Sequence, residues 1–408
     1  MEILVVGAGI GGLTLALSLE RLGLACRVYE AAPEIRPLGV GINLLPHGTR
    51  ELTELGLQER LARVAVETRE VVFCNRFGQF IFREPRGRHA GYDWPQFSIH
   101  RGDLQAVLLE AARERGIEIL PGMKCIAVRQ DENEVEIRFD DGAWARGAAA
   151  IGCDGIHSAV RKILYPDEGP PAYQGIHMWR GVTRMKPWLT GASMVIGGWL
   201  EVGKMVAYPI RDDIDGKGTQ LVNWVAEIQS PRNVVQDWNL AGRLEDFYPA
   251  FADWRFDWLD VAALVRGADM VLEYPMVDRD PLPAWSRGRV TLLGDAAHPM
   301  VPRGSNGAGQ AILDARALAR CLGREEDVAG ALREYERIRL KAANDVVLMN
   351  RTDPPDAILR EVHRRTGDRP FARIEDVISN EELVALSENY KRVAGFERES
   401  LARRESFL

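Results

Sequence analysis

The hydrophobic positions at the start of the chain follow the pattern of a buried strand and then that of a helix. Residues 3–6 form an unbroken apolar run, residues 7–12 include four glycines, and leucines then recur at helical spacing as far as Leu19. A second short run, residues 26–29, ends at the acidic Glu30. This pattern predicts a strand, a tight glycine turn, a helix and a second strand.

Two later stretches repeat the pattern of a buried strand that runs into a glycine-containing turn and a helix. One comprises residues 148–161 and the other residues 289–322. Between them, residues 173–228 alternate in strand fashion with little helix, which predicts an antiparallel sheet with one covered face. Beyond residue 324 the chain is charged and helical in character, with a proline-containing break at 351–355.

The remaining segments predict shorter elements. Residues 36–43 are rich in glycine and include a proline, so we interpret them as a loop. The other predicted elements are a helix at 46–57, a strand hairpin at 71–82, a helix at 105–115 and strands at 117–120, 124–130 and 134–139.

The size and composition of the chain narrow the class of protein. With 408 residues, 46% of them hydrophobic and 27% charged, it is expected to be an ordinary globular protein of two closely joined domains. The net charge of −7 argues against a nucleic-acid partner. No apolar run approaches the roughly 18 residues that would cross a membrane. Five cysteines without metal-ligand spacing, and an N-terminal strand that leaves no room for a signal peptide, predict a cytoplasmic protein with reduced thiols and no metal.

The glycine turn at residues 7–12 is suited to binding a dinucleotide. Glycines at positions 7, 9 and 12 let the chain turn sharply, approach a pyrophosphate closely and pack the helix on the strand. The pyrophosphate would rest on the helix N-terminus, and Glu30 would accept hydrogen bonds from both ribose hydroxyls of an adenine nucleotide. The alternative is an ordinary strand and helix whose glycines serve packing alone, which leaves Glu30 without a role.

A second glycine-rich helix entrance, residues 302–310, is suited to the other end of such a dinucleotide. Its free N–H groups and helix dipole would stabilise negative charge on a reduced flavin. Arg101, which precedes the helix predicted at 105–115, is a candidate flavin or phosphate contact, although a surface ion pair explains it at least equally well. The aromatic and methionine side chains of the middle sheet either pack within their own domain or line a pocket for a flat aromatic molecule.

Together, these motifs resemble those of the single-component FAD-dependent aromatic monooxygenases, of the para-hydroxybenzoate and salicylate hydroxylase type. The resemblance covers nearly the whole chain. It depends on the glycine turn, on Cys-Asp-Gly-Ile-His-Ser-Ala-Val-Arg at 153–161 and on Gly-Asp-Ala-Ala-His-Pro at 294–299. Four further segments are most similar to the family members that hydroxylate phenazine carboxylates, such as 5-methylphenazine-1-carboxylate: 92–102, 178–183, 274–283 and 305–308.

The resemblance implies an α/β fold. It comprises a Rossmann-like FAD-binding domain of the glutathione-reductase type, interleaved with an antiparallel-sheet substrate domain and followed by a C-terminal helical region. The expected boundaries are 1–70, 98–170 and 286–325 for the FAD-binding domain, 71–97 and 171–285 for the substrate domain, and 326–408 for the helical region.

The resemblance also implies which residues bind the cofactor. Glu30 would hold the adenosine ribose, Arg101 the ribityl and phosphate region, and the backbone at Cys125 the adenine. Asp295 would bind the ribityl-pyrophosphate portion, and N–H groups at 307–309 would face the flavin pyrimidine. The full implied set, in which Asp154 and Arg161 serve both FAD and NAD(P)H, is Gly7, Gly9, Gly11, Gly12, Glu30, Gly41, Arg101, Cys125, Asp154, Arg161, Asp295, Gly304, Gly307, Ala308 and Gly309.

Two neighbouring residues, Pro302 and Arg303, are the implied catalytic positions at the edge of the flavin and substrate. Arg303 would either clamp a carboxylate of the substrate or point to solvent. Among the histidines, His298 is expected to pack structurally and His177 is a candidate base. The candidate substrate contacts are Ile42, Trp179, Met205, Tyr208 and Trp224.

The implied reaction is aromatic hydroxylation. NADH or NADPH would reduce FAD, the reduced flavin would capture O2 as a C4a-hydroperoxide, and a carbon of a small phenazine-like or salicylate-like substrate would attack its distal oxygen. A carboxylate on the attacked carbon would leave as carbon dioxide. The alternatives are a reductase or dehydrogenase of the same fold, and a flavin-bearing signalling protein whose helical tail docks a partner. The protein is expected to be a monomer or homodimer.

Overall fold

The computed structural model describes residues 2–35, 39–231 and 241–407. The strands in these residues are β1 (Glu2–Val6), β2 (Ala25–Glu30), β3 (Gly41–Leu44), β4 (Ala65–Glu67), β5 (Glu70–Cys74), β6 (Phe80–Pro85), β7 (Phe97–His100), β8 (Glu118–Pro121), β9 (Cys125–Gln130), β10 (Val135–Phe139), β11 (Trp144–Gly147), β12 (Ala149–Gly152), β13 (Ala172–Met185), β14 (Ser193–Trp199), β15 (Gly203–Arg211), β16 (Gln220–Gln229), β17 (Arg255–Phe256), β18 (Leu259–Asp260), β19 (Ala268–Asp278) and β20 (Val290–Leu292).

The α-helices in the same residues are α1 (Ile10–Arg21), α2 (Pro46–Glu54), α3 (Gln58–Val64), α4 (Arg101–Glu114), α5 (Ala159–Leu164), α6 (Val261–Arg266), α7 (Gly307–Arg324), α8 (Val328–Thr352), α9 (Ala357–Thr366), α10 (Asn380–Ala394) and α11 (Arg398–Arg403). None of these helices combines the length and apolar character that crossing a membrane requires.

A parallel sheet in the strand order β20-β12-β1-β2-β8 carries the three sequence motifs. Ile3, Leu4 and Val5 in β1 have no exposed surface, because strands lie on both sides and α1 packs over the sheet. An antiparallel sheet, β11-β10-β9, lies beside β1 and β12. Since parallel strands bring their carboxyl ends to one edge, the turns after β1, β12 and β20 come together there. This arrangement confirms the predicted Rossmann-like fold.

A second sheet of seven strands has the order β19-β13-β16-β15-β14-β5-β6, and all its neighbours are antiparallel except β14 and β5. The prediction that only one face of this sheet is covered is wrong. In β16, Trp224 and Ala226 are fully buried on one face, and Asn223 and Glu227 are buried on the other. The first face packs against α6 and residues 247–256, whereas α9 and α10 cover much of the second.

The prediction of a loop at 36–43 is also wrong in part. Gly41–Leu44 forms β3, which pairs antiparallel with β7 so that Gly41 lies opposite His100. Residues 36–38 of the predicted loop lie outside the described residues. The glycine content of the segment could not reveal this strand, because its hydrogen-bonding partner lies far away in the chain.

The tail is helical, as predicted, and its break falls between α8 and α9. Apolar side chains of α9 and α10, namely Ile358, Leu359, Val362 and Leu383, belong to the same buried cluster as sheet residues Met194, Ile196 and Tyr208. The tail is therefore part of the packed body of the protein. The predicted domain boundaries stay a prediction.

One glycine, Gly41, joins the β3 strand to the seven-stranded sheet. Its N–H donates to Asn223 Oδ1 at 2.8 Å, and its carbonyl accepts from Tyr208 Oη at 2.8 Å and from Arg180 Nη2 at 2.6 Å. A Cβ atom on Gly41 would lie 2.6 Å from Asn223 Cβ and 2.8 Å from Ile210 Cγ2. The two parts of the molecule thus meet at a backbone that has no room for a side chain.

We therefore expect Gly41→Ala to destabilise the protein by about 1–3 kcal/mol, because the added methyl group overpacks this junction. Urea denaturation would measure the loss. Gly169→Ala is the matched control, since a Cβ there meets no atom within 4 Å, and we expect it to change stability by less than about 0.5 kcal/mol. Equal stability of the two variants would contradict the role assigned to Gly41.

Candidate active site

The glycine turn between β1 and α1 contains glycines of two kinds. Gly7 has a φ of +108°, and a Cβ on it would lie 2.6 Å from the Cys153 carbonyl oxygen. A Cβ on Gly12 would lie 2.0 Å from the Gly7 carbonyl oxygen, and one on Gly11 would lie 2.6 Å from Leu293 Cδ2. Gly7 and Gly12 need glycine for the fold itself, because a Cβ there would meet backbone atoms, whereas at Gly11 only the methyl group of Leu293 would have to shift.

Gly9 differs from the other glycines of this turn. Its φ of −77° suits any residue, and a Cβ there would meet no protein atom within 4 Å. The described residues therefore give no structural reason for glycine at this position. Open space above the N-terminus of α1 is what the close approach of a pyrophosphate requires.

Glu30 is held facing the same turn. Its carboxylate accepts hydrogen bonds from the N–H groups of Ala8 at 2.8 Å and Ala32 at 2.9 Å, which leaves lone pairs on both oxygens for further donors. The carbonyl of Glu30 accepts from the N–H of Met123 at 2.8 Å, so the chain that leads into Cys125 passes the same edge of the sheet. The structure thus brings the glycine turn, Glu30 and Cys125 together.

Asp154 and Arg161, in the second motif, make contacts that hold the fold. Asp154 accepts from Ser158 Oγ at 2.5 Å and from the N–H of Ala159 at 2.7 Å at the start of α5, and burial raises the pKa of its carboxyl group. The Arg161 guanidinium donates to the carbonyls of Ala296 and Ala297 at 3.0 and 2.8 Å. It therefore ties the second motif to the third. That Asp154 and Arg161 also serve the binding of FAD and NAD(P)H stays a prediction.

The third motif places Asp295 beside the start of α7. Asp295 is exposed, and a Cβ on Gly307 would lie 3.8 Å from its Oδ1. The helix begins at Gly307, four residues before the predicted start at 311, so the N–H groups of Gly307, Ala308 and Gly309 lie in its first turn, where a helix has no internal acceptors for them. The Asp295 carboxylate therefore lies beside the free N–H groups at the start of α7.

Arg101 begins α4 on the same side of the molecule. Its N–H donates to the carbonyl of Val40 at 2.9 Å, and its side chain is exposed beside Gly39. Burial raises the pKa of Tyr274, and the charges of Arg180 and Arg101 oppose that rise. No ion pair of Arg101 is found among the described residues, and its predicted contact with the flavin or phosphate stays a prediction.

The loop that carries Pro302 is held by the C-terminal helices. Asn350 Nδ2 in α8 donates to the carbonyl of Val301 at 3.1 Å, and Tyr390 Oη in α10 donates to Asn350 Oδ1 at 2.7 Å and accepts from Asn306 Nδ2 at 2.9 Å. A Cβ on Gly304 would lie 1.5 Å from Tyr390 Oη, so this position must be glycine. Pro302 itself is exposed.

The side chain of Arg303 is only 8% exposed, which excludes the predicted alternative that it points to solvent. Its Nη2 lies 3.1 Å from a carboxylate oxygen of Asp356, just before α9. Lys204 Nζ lies 2.6 Å from Asp356 and 2.7 Å from Glu227. Two cations and two carboxylates therefore form a buried network next to the loop, which we call the Asp356 network.

The predicted substrate contacts divide between the two faces of the seven-stranded sheet. Tyr208 lies on the face that meets Gly41, and Ile42 lies next to that glycine in β3. Trp179, Met205 and Trp224 lie on the opposite face; the Trp179 ring stacks on Phe247 with centroids 5.0 Å apart. These three pack within the sheet's own domain, which agrees with the first of the two predicted alternatives and gives no support to their prediction as substrate contacts.

Sequence reasoning missed Arg180, Asn223, Asn350 and Tyr390. Arg180 and Asn223 follow directly from alternation, since they flank Trp179 and Trp224 and must therefore face the other way. Asn350 and Tyr390 belong to the tail, and nothing local in the sequence connects them with residues 301–306.

His177 and His298, the two histidines singled out from the sequence, both lie in structural contacts. His177 lies on the Trp179 face, 5.7 Å from that ring between centroids, and burial lowers its pKa. His298 is buried, and its Nε2 lies 2.5 Å from Asp314 Oδ2, which agrees with the predicted structural role. Burial would raise the pKa of Asp314, but the charges of His298 and Arg339 lower it.

Comparison with known proteins identifies the class. The family model described as an FAD binding domain matches residues 1–204 and 274–350. The chain is 40% identical to the phenazine 1,6-dicarboxylic acid hydroxylase PhzS of Lysobacter antibioticus, over 96% of this chain and 97% of that one. It is 37% identical to the 3-amino-4-hydroxybenzoate 2-monooxygenase PtnB3 of Streptomyces platensis, over 90% and 87%. The chain is thus a flavoprotein, and it belongs to the single-component FAD-dependent aromatic monooxygenases.

Two solved structures share the fold. HpxO of Klebsiella pneumoniae complexed with FAD and uric acid has a TM-score of 0.77 and 24% identity, over 98% of this chain and 97% of that one. A substrate complex of salicylate hydroxylase has a TM-score of 0.75 and 22% identity, over 99% and 98%. These likenesses confirm the predicted fold.

FAD is the cofactor, and NAD(P)H and O2 are the co-substrates. The described residues fit FAD: space is open above Gly9, Glu30 faces that space, and Asp295 lies beside the first turn of α7. The contacts of individual predicted residues with the cofactor stay predictions.

Gly9→Ala separates cofactor binding from folding. We expect apoprotein stability within about 0.5 kcal/mol of the wild type, because the methyl group meets no protein atom. We expect FAD to bind at least about tenfold more weakly, measured by quenching of FAD fluorescence on titration with apoprotein. Gly12→Ala is the contrasting variant, since its Cβ meets the Gly7 carbonyl and should impair folding as well. Wild-type FAD affinity in Gly9→Ala would show that the pyrophosphate does not pass this point.

The Asp356 network should make stability depend on pH. Burial would raise the pKa of Asp356, but Lys204 and Arg303 lower it overall. A pKa that is lowered in the folded state stabilises the fold above the unfolded value of about 4, and this contribution is lost as the pH falls below it. We expect Asp356→Asn to cost about 3–5 kcal/mol at neutral pH, because it leaves buried cations uncompensated, and to weaken the loss of stability in acid.

Denaturant unfolding at several pH values would measure both effects. Asp280→Asn is the control, because that side chain is 85% exposed in its pair with Arg351. Parallel pH profiles for the wild type and Asp356→Asn would contradict the assignment.

Proposed function

We propose that this protein hydroxylates a small carboxylated aromatic compound, phenazine-like or salicylate-like, in the cleft between Gly41, Tyr208 and Pro302. The observation that carries the proposal is the junction at Gly41, where the backbone N–H and carbonyl of this glycine bond to Asn223 and Tyr208 on a buried face of the seven-stranded sheet. Two relatives of high coverage are named for reactions on aromatic carboxylic acids, a phenazine dicarboxylic acid and an aminohydroxybenzoate, which supports this substrate class.

The chain's own residues position the reactants and exclude water. When bound, FAD supplies the redox and oxygen chemistry. Glu30 and the turn at 7–12 hold the adenosine diphosphate end, and the N–H groups at 307–309 stabilise negative charge at the flavin pyrimidine. Pro302 lies at the substrate edge. The hydrogen bonds around Gly41 close the cleft on the side of the sheet, where entry of water would divert the oxygen chemistry.

Tyr208 acts as a hydrogen-bond donor and not as a base. Burial raises the pKa of its phenol, so the hydroxyl stays protonated at neutral pH. That proton is donated to the carbonyl of Gly41 at 2.8 Å. The deprotonation of a substrate phenol therefore does not depend on this residue.

The proposal also covers the location of the protein, its oligomeric state and its partners. The cysteines are free, and the reaction consumes NAD(P)H, so we assign the protein to the cytoplasm. We assign it as a monomer or homodimer with a small-molecule substrate and without a nucleic-acid or membrane partner. A carboxylate on the attacked carbon would leave as carbon dioxide.

The two alternatives are less well supported. The relatives are named as hydroxylases and monooxygenases, which does not favour a reductase without oxygenation. In a signalling protein the tail would need a free face for a partner. Apolar side chains of α9 and α10 are buried against the sheet, which gives the tail a structural role without a partner.

Anaerobic reduction of the FAD-loaded enzyme by NADH, and separately by NADPH, tests the proposal. We expect one aromatic acid in a panel of phenazine-1-carboxylate, phenazine-1,6-dicarboxylate, salicylate and 3-hydroxybenzoate to accelerate flavin reduction many-fold. With O2 present, the same compound should be consumed in step with oxygen and give a hydroxylated product. Equally fast reduction with and without every ligand, together with a product that forms without O2, would favour the reductase alternative.

A further inference from the structure

A cavity of about 50 Å³ lies directly behind the loop that follows Pro302. Loop residues 303–305 form one side, Met194 and Ile196 of the sheet form another, and Lys391 of α10 contributes to a third. A single water needs roughly 10–15 Å³ of such space, so the cavity has room for a small polar group such as a carboxylate. We call it the inner cavity.

All the charged side chains that line the inner cavity are cations. Of the described residues that line it, Arg86, Arg303 and Lys391 are cations, and none is a carboxylate. Their side chains are 12%, 8% and 10% exposed. The carboxylates that pair with them are not among the lining residues: Glu84 contacts both Arg86 and Lys391, Glu388 contacts Lys391, and Asp356 contacts Arg303. The charged side chains that line the cavity are therefore all cationic.

Polar atoms at the inner cavity also lack partners. The Nε of Arg86 and the Nε of Arg303 are buried donors without a hydrogen-bond partner among the described residues. The side-chain oxygen of Gln96, a residue that is only 1% exposed, likewise has none. A buried donor that stays unpaired costs roughly 1–3 kcal/mol, so the two arginine nitrogens favour a ligand with acceptor oxygens, whereas the Gln96 oxygen accepts and needs a donor.

We propose that the inner cavity is the subsite for a carboxylate of the aromatic substrate, with Arg303 as the principal contact and Arg86 and Lys391 in support. The inference rests on the proposed function and specifies how the substrate is oriented. The carboxylate points away from the flavin, behind the loop, and the ring lies towards Pro302 and Gly41. Hydroxylation then takes place at a ring position remote from the bound carboxylate, so only a second carboxylate, on the attacked carbon, could leave as carbon dioxide.

The competing explanation is purely structural, since the same cations also attach the tail through Glu84 and Asp356. The two explanations differ in selectivity. A structural role lets a substitution at Arg303 weaken the binding of every ligand alike. A carboxylate subsite makes the loss specific to ligands that carry the charge.

Matched ligand pairs test this difference on the FAD-loaded enzyme. The pairs are phenazine-1-carboxylate with phenazine-1-carboxamide, and salicylate with salicylamide, and binding is followed by the change in flavin absorbance. In the wild type we expect the charged member of at least one pair to bind more tightly. Arg303→Gln should weaken binding of that charged member by roughly tenfold or more and affect the amide much less, because a charge-assisted hydrogen bond is lost. Arg303→Lys should retain part of the preference.

Two further variants keep the test decisive. Arg86→Gln probes the same subsite if Arg303→Gln does not load FAD, and it should reduce the preference in the same direction. Arg83→Gln is the control, because Arg83 pairs with Glu70 at the surface with its side chain 46% exposed, and the preference should be unchanged.

The inference is overturned if the wild type shows no preference for the charged member of either pair, or if Arg303→Gln and Arg86→Gln weaken both members equally. Stimulation of flavin reduction by neutral and charged aromatics alike would leave the hydroxylase proposal standing while removing the carboxylate subsite. Absence of stimulation by any aromatic would instead remove the proposed function.

Discussion

The hydrogen bonds to both backbone groups of Gly41 set the relation between the nucleotide-binding part and the seven-stranded sheet. Asn223 accepts from its N–H, and Tyr208 and Arg180 donate to its carbonyl. All three partners lie on the same face of adjacent strands, so β3 is fixed in two directions at once. Buried backbone groups must be paired, and any shift of the sheet would break this pairing. The position of β3 against the sheet is therefore set by a contact to which β3 contributes only backbone groups.

The second constraint comes from charge. Arg303, Asp356, Lys204 and Glu227 are buried together, and they join the active-site loop, the start of α9 and two sheet strands. The attraction between the charges of a buried network offsets only part of the free-energy cost of desolvating them. We infer that the main effect of this network is to fix the position of the loop against the sheet. An apolar replacement could pack as densely, but it would not specify the position of the loop against the sheet as narrowly.

The sequence predicted best the parts of the site that depend on neighbouring residues. The three strand-turn-helix motifs, the acid at the end of β2 and the break between α8 and α9 are all local features. Alternation identified two faces of β16, yet it could not say which face meets Gly41, and the candidate substrate contacts Trp179, Met205 and Trp224 lie on the opposite face. Arg303 and Asp356 are 53 residues apart, and Asn306 and Tyr390 are 84 apart. Contacts over such distances depend on how the tail folds back, which no local pattern contains.

The contact between Gly304 and the Tyr390 hydroxyl makes the tail part of the active-site wall. The missing side chain at position 304 is the space that Tyr390 fills, and Asn350 binds to both the loop and that hydroxyl. The loop residue Gly304 and the tail residues Asn350 and Tyr390 therefore fit only in combination. In a chimera of two relatives joined at the break after α8, the loop would come from one parent and its supporting tyrosine from the other, and even a correctly folded product would have an active site that belongs to neither.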